Sequence, residues 1–589
     1  MKFRNPYLVT RALKTFMWGS ILAAVSSQIA TTTDAIVVSN LIGPAAISAI
    51  NLMTPILTVF SCLMILFGIG ASIIAAKAIG RRDDNAANGV FTAAIISSAS
   101  IGVFFAILTY IFSPFIVEVL TGGNEQIYSL ALSYLQVMCV SVPFMMMAGV
   151  VENFIKTDGN PRIVMIAVIV GSALNLILDV VFVKWLNMGI TGSAWATGIN
   201  YLVAIIICCI HFKSEHNSLK WNADWKMMKG YVNQSVSQGL PMSINTLLLG
   251  GCIMFINYIV LYAQGEDGIY CWSVCLQLFM IMQMVLTGIG SSIYAIGGIL
   301  VGEQDMEGLS ILNMKSILYT VGALAVITVL IVIFPQFFGE LFGSRSDNPI
   351  TILPYALRTF SIMLIPYSLV ALLRSTYQIL GRTKLSLFLS VVQLLMMVGF
   401  VWGFSFISND VLWWGFPSSS VAMVIGLIIY TYFIHQRNNI YKFITLIPKD
   451  EDKEALNISV KMTPEAVLEA DQKVKNFLQL QNLDDTTAYK VRLDCEELMQ
   501  NIVAYAVAKR KEKHYFDLHI RVNKKEVNVL IKDDGRPFNP IITGEDKMVN
   551  ADDPDEKIGL KIVNNTSDNI NYKYMYDQNM VMLNFIRNN

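Results

Sequence analysis

Charge is scarce in this sequence. Only 15% of its 589 residues are Asp, Glu, Lys or Arg, where a soluble globular chain carries roughly 25%. The 43 basic and 43 acidic residues cancel. The scarcity is also local. Of the 144 residues from 446 onward 46 are charged, against 40 of the 445 before them. Lipid is the implied solvent for the first three quarters of the chain and water for the last quarter. That excludes an ordinary soluble enzyme and a basic nucleic-acid binder, so no direct nucleic-acid contact is expected. Paired cysteines are lacking as well. Seven of the eight Cys (Cys62, Cys139, Cys208, Cys209, Cys252, Cys271 and Cys275) sit in apolar runs, and Cys495 lies in the polar tail. Without a CxxC pair or a Cys/His cluster, neither a disulfide scaffold nor a zinc framework is suggested. No GxxxxGK[ST] loop occurs, which argues against a pump driven by a P-loop ATPase.

Long apolar runs are what is abundant. The N-terminus, MKFRNPYLVTRALKTF, leads into one too long for a signal-peptide core, so a retained first membrane segment is expected. Stretches of bilayer-crossing length recur near 14–38, 50–76, 88–113, 128–154, 162–184, 190–212, 236–263, 270–300, 314–338, 353–380, 385–408 and 412–435. They predict twelve transmembrane helices. Alternate connections hold Lys2, Arg4, Arg11, Arg81, Arg82, Lys156, Arg162, Arg382 and Lys384, whereas the opposite set offers little beyond Lys184 and Arg345, beside Glu118, Asp267 and Asp347. By the positive-inside rule both termini are cytoplasmic, and the polar tail lies inside the cell.

The spans repeat. Gly68-Ile-Gly-Ala-Ser72 matches Gly288-Ile-Gly-Ser-Ser292, while Gly80 to Asp83 matches Gly302 to Asp305, and Gly159 matches Gly381, both at an offset of 222. Six spans separate equivalent points. The halves therefore share one orientation, as in transporters built from parallel repeats.

Polar residues interrupt the first half. Span 1 carries Asp34, span 5 carries Asn175 and Asp179 four residues apart, and span 6 carries Thr197. Ionisable groups inside a membrane are costly and usually functional. Two carboxylates, a carboxamide and a hydroxyl suit a hard cation such as Na+, and buried carboxylates equally suit a proton. Glu152 lies nearer the cytoplasmic end beside Lys156, where an interfacial ion pair is expected.

Twelve spans in two parallel halves, TTTDAIVVSNLIGPAAISAI at span 1 and GITGSAWATG at span 6 together resemble the MATE (multidrug and toxic compound extrusion) transporters, over roughly residues 10–440. The resemblance implies a cation site built from Asp34, Asn175, Asp179 and Thr197, serving Na+- or H+-coupled antiport of organic cations or drugs. The repeat position matching Asp34 falls near Asn257, and span 7 has no acid, so the coupling site is expected in the first half alone. The implied location is a bacterial cytoplasmic (inner) membrane.

The tail reads as one α+β sandwich, with a mixed sheet under helices. Thr463-Pro464 starts a helix, Glu497 and Asn501 share a face of a second, Asp533-Asp-Gly535 follows a strand, and Lys557-Ile-Gly559 opens a short helix. In this order the motifs resemble the GHKL ATP-binding fold, and most closely anti-sigma-factor serine kinases of the RsbW type, over about 455–587. The resemblance implies ATP and Mg2+ as cofactors. Glu497 would be the base for a substrate hydroxyl, Asn501 the Mg2+ ligand and Asp533 the reader of the adenine amino group. Gly535 and Gly559 would admit the nucleotide. The glycine-rich phosphate segment is reduced to Gly559, and no His stands where a sensor kinase carries its phospho-acceptor; His514 and His519 are expected at the surface. The implied soluble partner is an anti-anti-sigma-like (STAS) or sigma-factor-like protein.

The expected layout is thus an N-lobe at 1–222, a C-lobe at 223–440, a linker at 441–454 and the cytoplasmic nucleotide domain at 455–589. The expected function is a cation-coupled exporter with a serine kinase-like domain that regulates or reports transport. The rival is a membrane receptor whose transporter-like fold senses a ligand and controls the kinase output.

Overall fold

A computed structural model describes residues 4–122, 124–214, 217–341, 352–449, 454–505, 514–537, 539–541 and 554–587. Arg345 and Asp347 lie outside the described residues, as does Lys2. The chain divides into two compact units, Phe16–Pro448 and a second made of Met1–Thr15 with Lys449–Asn589.

The first unit is helical. Its elements are α1 (Tyr7–Leu41, entering from the second unit), α2 (Pro44–Gly80), α3 (Asp84–Thr121), α4 (Glu125–Thr157), α5 (Pro161–Val180), α6 (Ile190–Cys208) and α7 (Trp225–Ser292). Then come α8 (Gly298–Gly302), α9 (Met306–Ile333), α10 (Pro335–Leu341), α11 (Leu353–Ser361), α12 (Leu364–Ile379), α13 (Thr383–Ser405) and α14 (Gly415–Arg437). Eleven helical stretches among the described residues are long and apolar enough to cross a membrane. The stretch 225–302 is 78 residues long, far more than one crossing needs. It breaks at Gly265, whose φ of 65° and ψ of −149° are not helical. Counted as two crossings, it brings the spans to the twelve expected.

The internal repeat is written in the backbone. Three pairs of residues with positive φ stand 222 residues apart: Gly43 with Gly265, Arg82 with Gln304, and Gly159 with Gly381. After two of these turns a helix starts on an equivalent aspartate. Asp83 accepts from Ala86 N at 2.9 Å and Asp305 from Gly308 N at 2.8 Å, each satisfying an otherwise orphaned first-turn amide. The halves also meet at equivalent glycines. A Cβ on Gly80 would overlap Ile299 O, and one on Gly302 would overlap Lys77 O. Only glycine lets the backbones of α2 and α8 come this close, the small-residue packing common between membrane helices.

The second unit carries a five-stranded sheet of β1 (Ala455–Lys461), β2 (Tyr515–Val522), β3 (Glu526–Asp533), β4 (Asn569–Met575) and β5 (Gln578–Ile586). The order is β1-β2-β3-β5-β4, and every pairing is antiparallel. This corrects the expected mixed sheet. Two of the pairs, β2–β3 and β4–β5, are hairpins, the tighter at Tyr576-Asp577 with φ of 54° and 59°, the left-handed pair that a two-residue hairpin turn demands. Helices α15 (Pro464–Gln479), α16 (Asp485–Tyr505) and α17 (Pro554–Thr566) complete the unit. Thr463 caps α15 by accepting from Ala466 N, with Pro464 at the first turn, as the sequence predicts. Phe516, Leu518 and Ile520 alternate into the core with Val529, Leu583 and Val474.

Period-2 alternation sends Asp517 and His519 to the opposite face, and there the N-terminal residues of the chain bind. Arg4 pairs with Asp517 and reaches His519 Nε2 at 3.1 Å. Asn5 N donates to Ser459 Oγ at 3.2 Å, and Gln578 Nε2 donates to Leu8 O at 2.7 Å. Tyr7 and Arg11 both bond Asp534, which also lies 2.8 Å from His514 Nδ1. His519 is only 9% exposed, so the expectation of a surface histidine is corrected: this face is covered by the chain's own beginning.

Candidate functional sites

The first site lies among α1, α4, α5 and α6. Asp34, half-buried on α1, accepts a hydrogen bond from Ser193 Oγ at 2.9 Å. Asp179 near the end of α5 is completely buried, and no donor satisfies either of its oxygens among the described residues. It stands close enough to Asp34 for the two carboxylates to interact electrostatically. One turn back, Asn175 is buried with its Nδ2 unpartnered among the described residues. Buried polar atoms without partners are rare in folded proteins. Their concentration beside paired carboxylates is the donor set a monovalent cation or a bound proton would complete.

Asp34 and Asp179 are thus brought together, with Asn175 one helical turn from Asp179. Thr197 is half-buried, and its hydroxyl makes no hydrogen bond among the described residues. The hydroxyl that meets Asp34 belongs instead to Ser193, one turn earlier on α6. Tyr134 on α4, 5% exposed, lies within electrostatic reach of both carboxylates. Sequence reasoning missed both residues. The signal for Ser193 was its i, i+4 spacing to Thr197.

The second site lies between α16, α17 and the end of β3. Glu497 and Asn501 share one face of α16. On α17, a Cβ at Gly559 would overlap the Glu497 carboxylate and lie 4.0 Å from Asn501 Nδ2. Asn501 Nδ2 is buried with no partner. An orphaned amide and a carboxylate facing a glycine that admits no side chain fit a nucleotide with its metal. Gly559 lies in the second turn of a helix beginning at Pro554, rather than opening the helix as expected. Asp533, buried at the end of β3, accepts from Asn579 Nδ2 at 2.9 Å and Gly535 N at 2.7 Å, both on Oδ1. The Gly535 amide therefore closes the turn behind Asp533.

Burial shifts the acids here. It pushes Asp533 up to about 6, against the pull of its two hydrogen bonds. Glu497 is raised by burial and by neighbouring Glu496. Asp494, one turn before Glu497, is pushed up to about 7 by burial despite its bond from Thr566 Oγ1 on α17. Asp494 is a residue the sequence reading missed; it ties α16 to α17.

A fold of apolar helices in two repeats, joined to an antiparallel α+β unit, defines a membrane transporter bearing a nucleotide-binding module. Residues 20–181 and 241–402 each match the MatE family, and residues 460–585 match the histidine kinase-like ATPase domain. The chain is a multi-pass membrane protein and belongs to the MatE family, with a C-terminal ATPase-like domain that implies ATP binding. The multidrug export protein MepA of Staphylococcus haemolyticus (strain JCSC1435) is 26% identical over 248 residues, 42% of this chain and 54% of that protein. MepA of Staphylococcus aureus (strain N315) is 25% identical over 244 residues, 41% of this chain and 54% of that one. The matched segment thus spans about half the length of these curated relatives. Among solved structures, one described as the outward-facing conformation of a multidrug resistance MATE family transporter superposes with a TM-score of 0.68. It is 22% identical and covers 74% of this chain and 99% of its own; at that identity the likeness speaks for the fold.

Proposed function

We propose that the chain is a cation-coupled antiporter that exports small organic cations or drugs from a bacterial cytoplasm. In this reading residues 1–222 and 223–440 form the two lobes, 441–454 the linker and 455–589 the nucleotide domain, with both termini cytoplasmic. The observation that carries the reading is Asp179, fully buried without a hydrogen-bond donor beside Asp34. Two such carboxylates cannot both stay charged unless a cation sits between them or a proton is shared. A site that must load Na+ or H+ to be comfortable, and that also lies in a two-lobed fold, can exchange that ion for a substrate. Asn175 supports the same site from one turn away, and Thr197 lines the helix that brings Ser193 to Asp34.

The C-terminal unit is proposed to bind ATP and Mg2+, with Asn501 as a metal ligand, Asp533 at the adenine, and Gly535 and Gly559 leaving room for the nucleotide. ATP bound there would supply a phosphoryl group, its charge balanced by the metal. Glu497 would take the proton from a serine or threonine hydroxyl of an anti-anti-sigma-like or sigma-factor-like partner. The ATP domain is proposed to regulate or report transport, not to drive it. One observation supports this link: α1 is a single helix whose first turns are held by Asp534 and Gln578, and further along it carries Asp34. The same observation keeps the receptor reading in play, with the signal running the other way. Ethidium efflux from energised cells tests the transport reading. Asp34→Asn and Asp179→Asn should each abolish efflux at normal membrane abundance; wild-type efflux in both would overturn it.

A further inference from the structure

A cavity of about 80 Å³ lies between the repeats, lined by α2 and α4 of the first half and α7 and α12 of the second. Its wall mixes apolar side chains with polar ones, Asn153, Asn245, Gln283 and Ser375 among them. Two cations, Lys156 and Arg374, face it, and no carboxylate lines it among the described residues.

The repeat shows why the charge is unbalanced. Glu152 and Arg374 stand 222 residues apart, the offset that relates the paired turns, as do Lys156 and Gln378. In the first half the acid and the base sit one turn apart on α4 and interact electrostatically, so their charges offset. In the second half the acid's place holds an arginine and the base's place a glutamine. Arg374 is 6% exposed, and the hydrogen bond it makes goes to the neutral Oδ1 of Asn245 at 2.6 Å. No carboxylate forms an ion pair with it among the described residues. A buried cation without a counter-charge is expensive. A guanidinium also presents a planar fork matched to carboxylate and phosphate oxygens.

We propose that Arg374 binds an anionic group, carboxylate or phosphate, on the transported molecule. The preferred substrates are then organic cations that also carry an acid, rather than simple cations. This rests on the exporter reading above and deepens it. The acids of the coupling site and the base of the cavity divide the work: Asp34 and Asp179 take the ion, and Arg374 takes the substrate's negative end.

The probes are a rhodamine with a free carboxylate and its methyl ester, which share ring system and fluorescence and differ at the acid. Binding is measured by fluorescence anisotropy on purified full-length protein, and transport separately in proteoliposomes under an imposed ion gradient. The wild type should bind the acid more tightly than the ester. Arg374→Gln should weaken acid binding about thirtyfold, the loss typical when one partner of a buried charge pair is removed, and leave the ester unchanged. Arg374→Lys, which keeps the charge, should restore the preference. Equal binding of acid and ester by the wild type would overturn the proposal, even if Arg374→Gln cannot be purified. Arg374-dependent binding without gradient-driven transport would sink the exporter reading and leave this site standing. Transport of the ester with no preference for the acid would do the reverse.

Discussion

Arg4 and Asp517, 513 residues apart in sequence, form an ion pair in which each side chain is 1% exposed. The chain's first residues are therefore built into the nucleotide unit. Removing one partner of a buried pair leaves an uncompensated charge and costs about 3–5 kcal/mol. Arg4→Ala, which strands the Asp517 carboxylate, and Asp517→Asn, which strands the Arg4 guanidinium, should each make the segment from Lys449 onward markedly more protease-sensitive in the full-length protein. Unchanged protease resistance in Arg4→Ala would show that the pair contributes nothing to the unit.

Glu497 and Asn501 should separate by function. Asn501→Ala removes a proposed metal ligand and should weaken Mg-ATP binding. Glu497→Ala should spare binding and stop phosphoryl transfer to a protein hydroxyl, since the base acts on the incoming group. Equilibrium binding of a fluorescent ATP analogue beside a phosphotransfer assay distinguishes them.

Gly559→Ala probes the cradle. Its Cβ would overlap the Glu497 carboxylate, so α16 and α17 must part or Glu497 must turn away. Loss of ATP binding with the fold retained by circular dichroism is the expected result. Undiminished binding would mean that nucleotide does not enter between these helices.

Asp533 gives a pH test with a defined sign. Burial raises its pKa from the model-peptide value of 3.8 to about 6. Its protonated form adds stability that is full below the unfolded value and lost as pH rises through about 6. Accepting from an adenine amino group needs the ionised form, so ATP affinity should move the other way. It should fall about tenfold per pH unit below about 6. Asp533→Asn should flatten the profile; an unchanged profile in that variant would assign the dependence elsewhere.

The fold was largely legible because lipid leaves so few choices. A crossing helix needs a long apolar run, so Gly265 hides the break between two crossings without hiding either one. The repeat was legible because its glycines and helix caps carry backbone geometry that few other residues supply. The Asp34–Asp179 pairing was half-legible: an acid in a span announces itself, whereas Ser193 is one small polar residue among many. The contact of Arg4 with Asp517 was illegible, because alternation along β2 marks Asp517 only as facing away from the core. Nothing local says what covers that face. Arg374 was illegible in the same way, because only the geometry of α12 turns it into the cavity.

Gradient-driven uptake in proteoliposomes made without nucleotide tests ion coupling most directly. The wild type should accumulate fluorescent substrate under an imposed Na+ or H+ gradient with no ATP present. Asp179→Asn should bind the same substrate and fail to accumulate it. Accumulation undiminished in Asp179→Asn, or a strict requirement for ATP in the wild type, would contradict an exporter powered through the buried carboxylates.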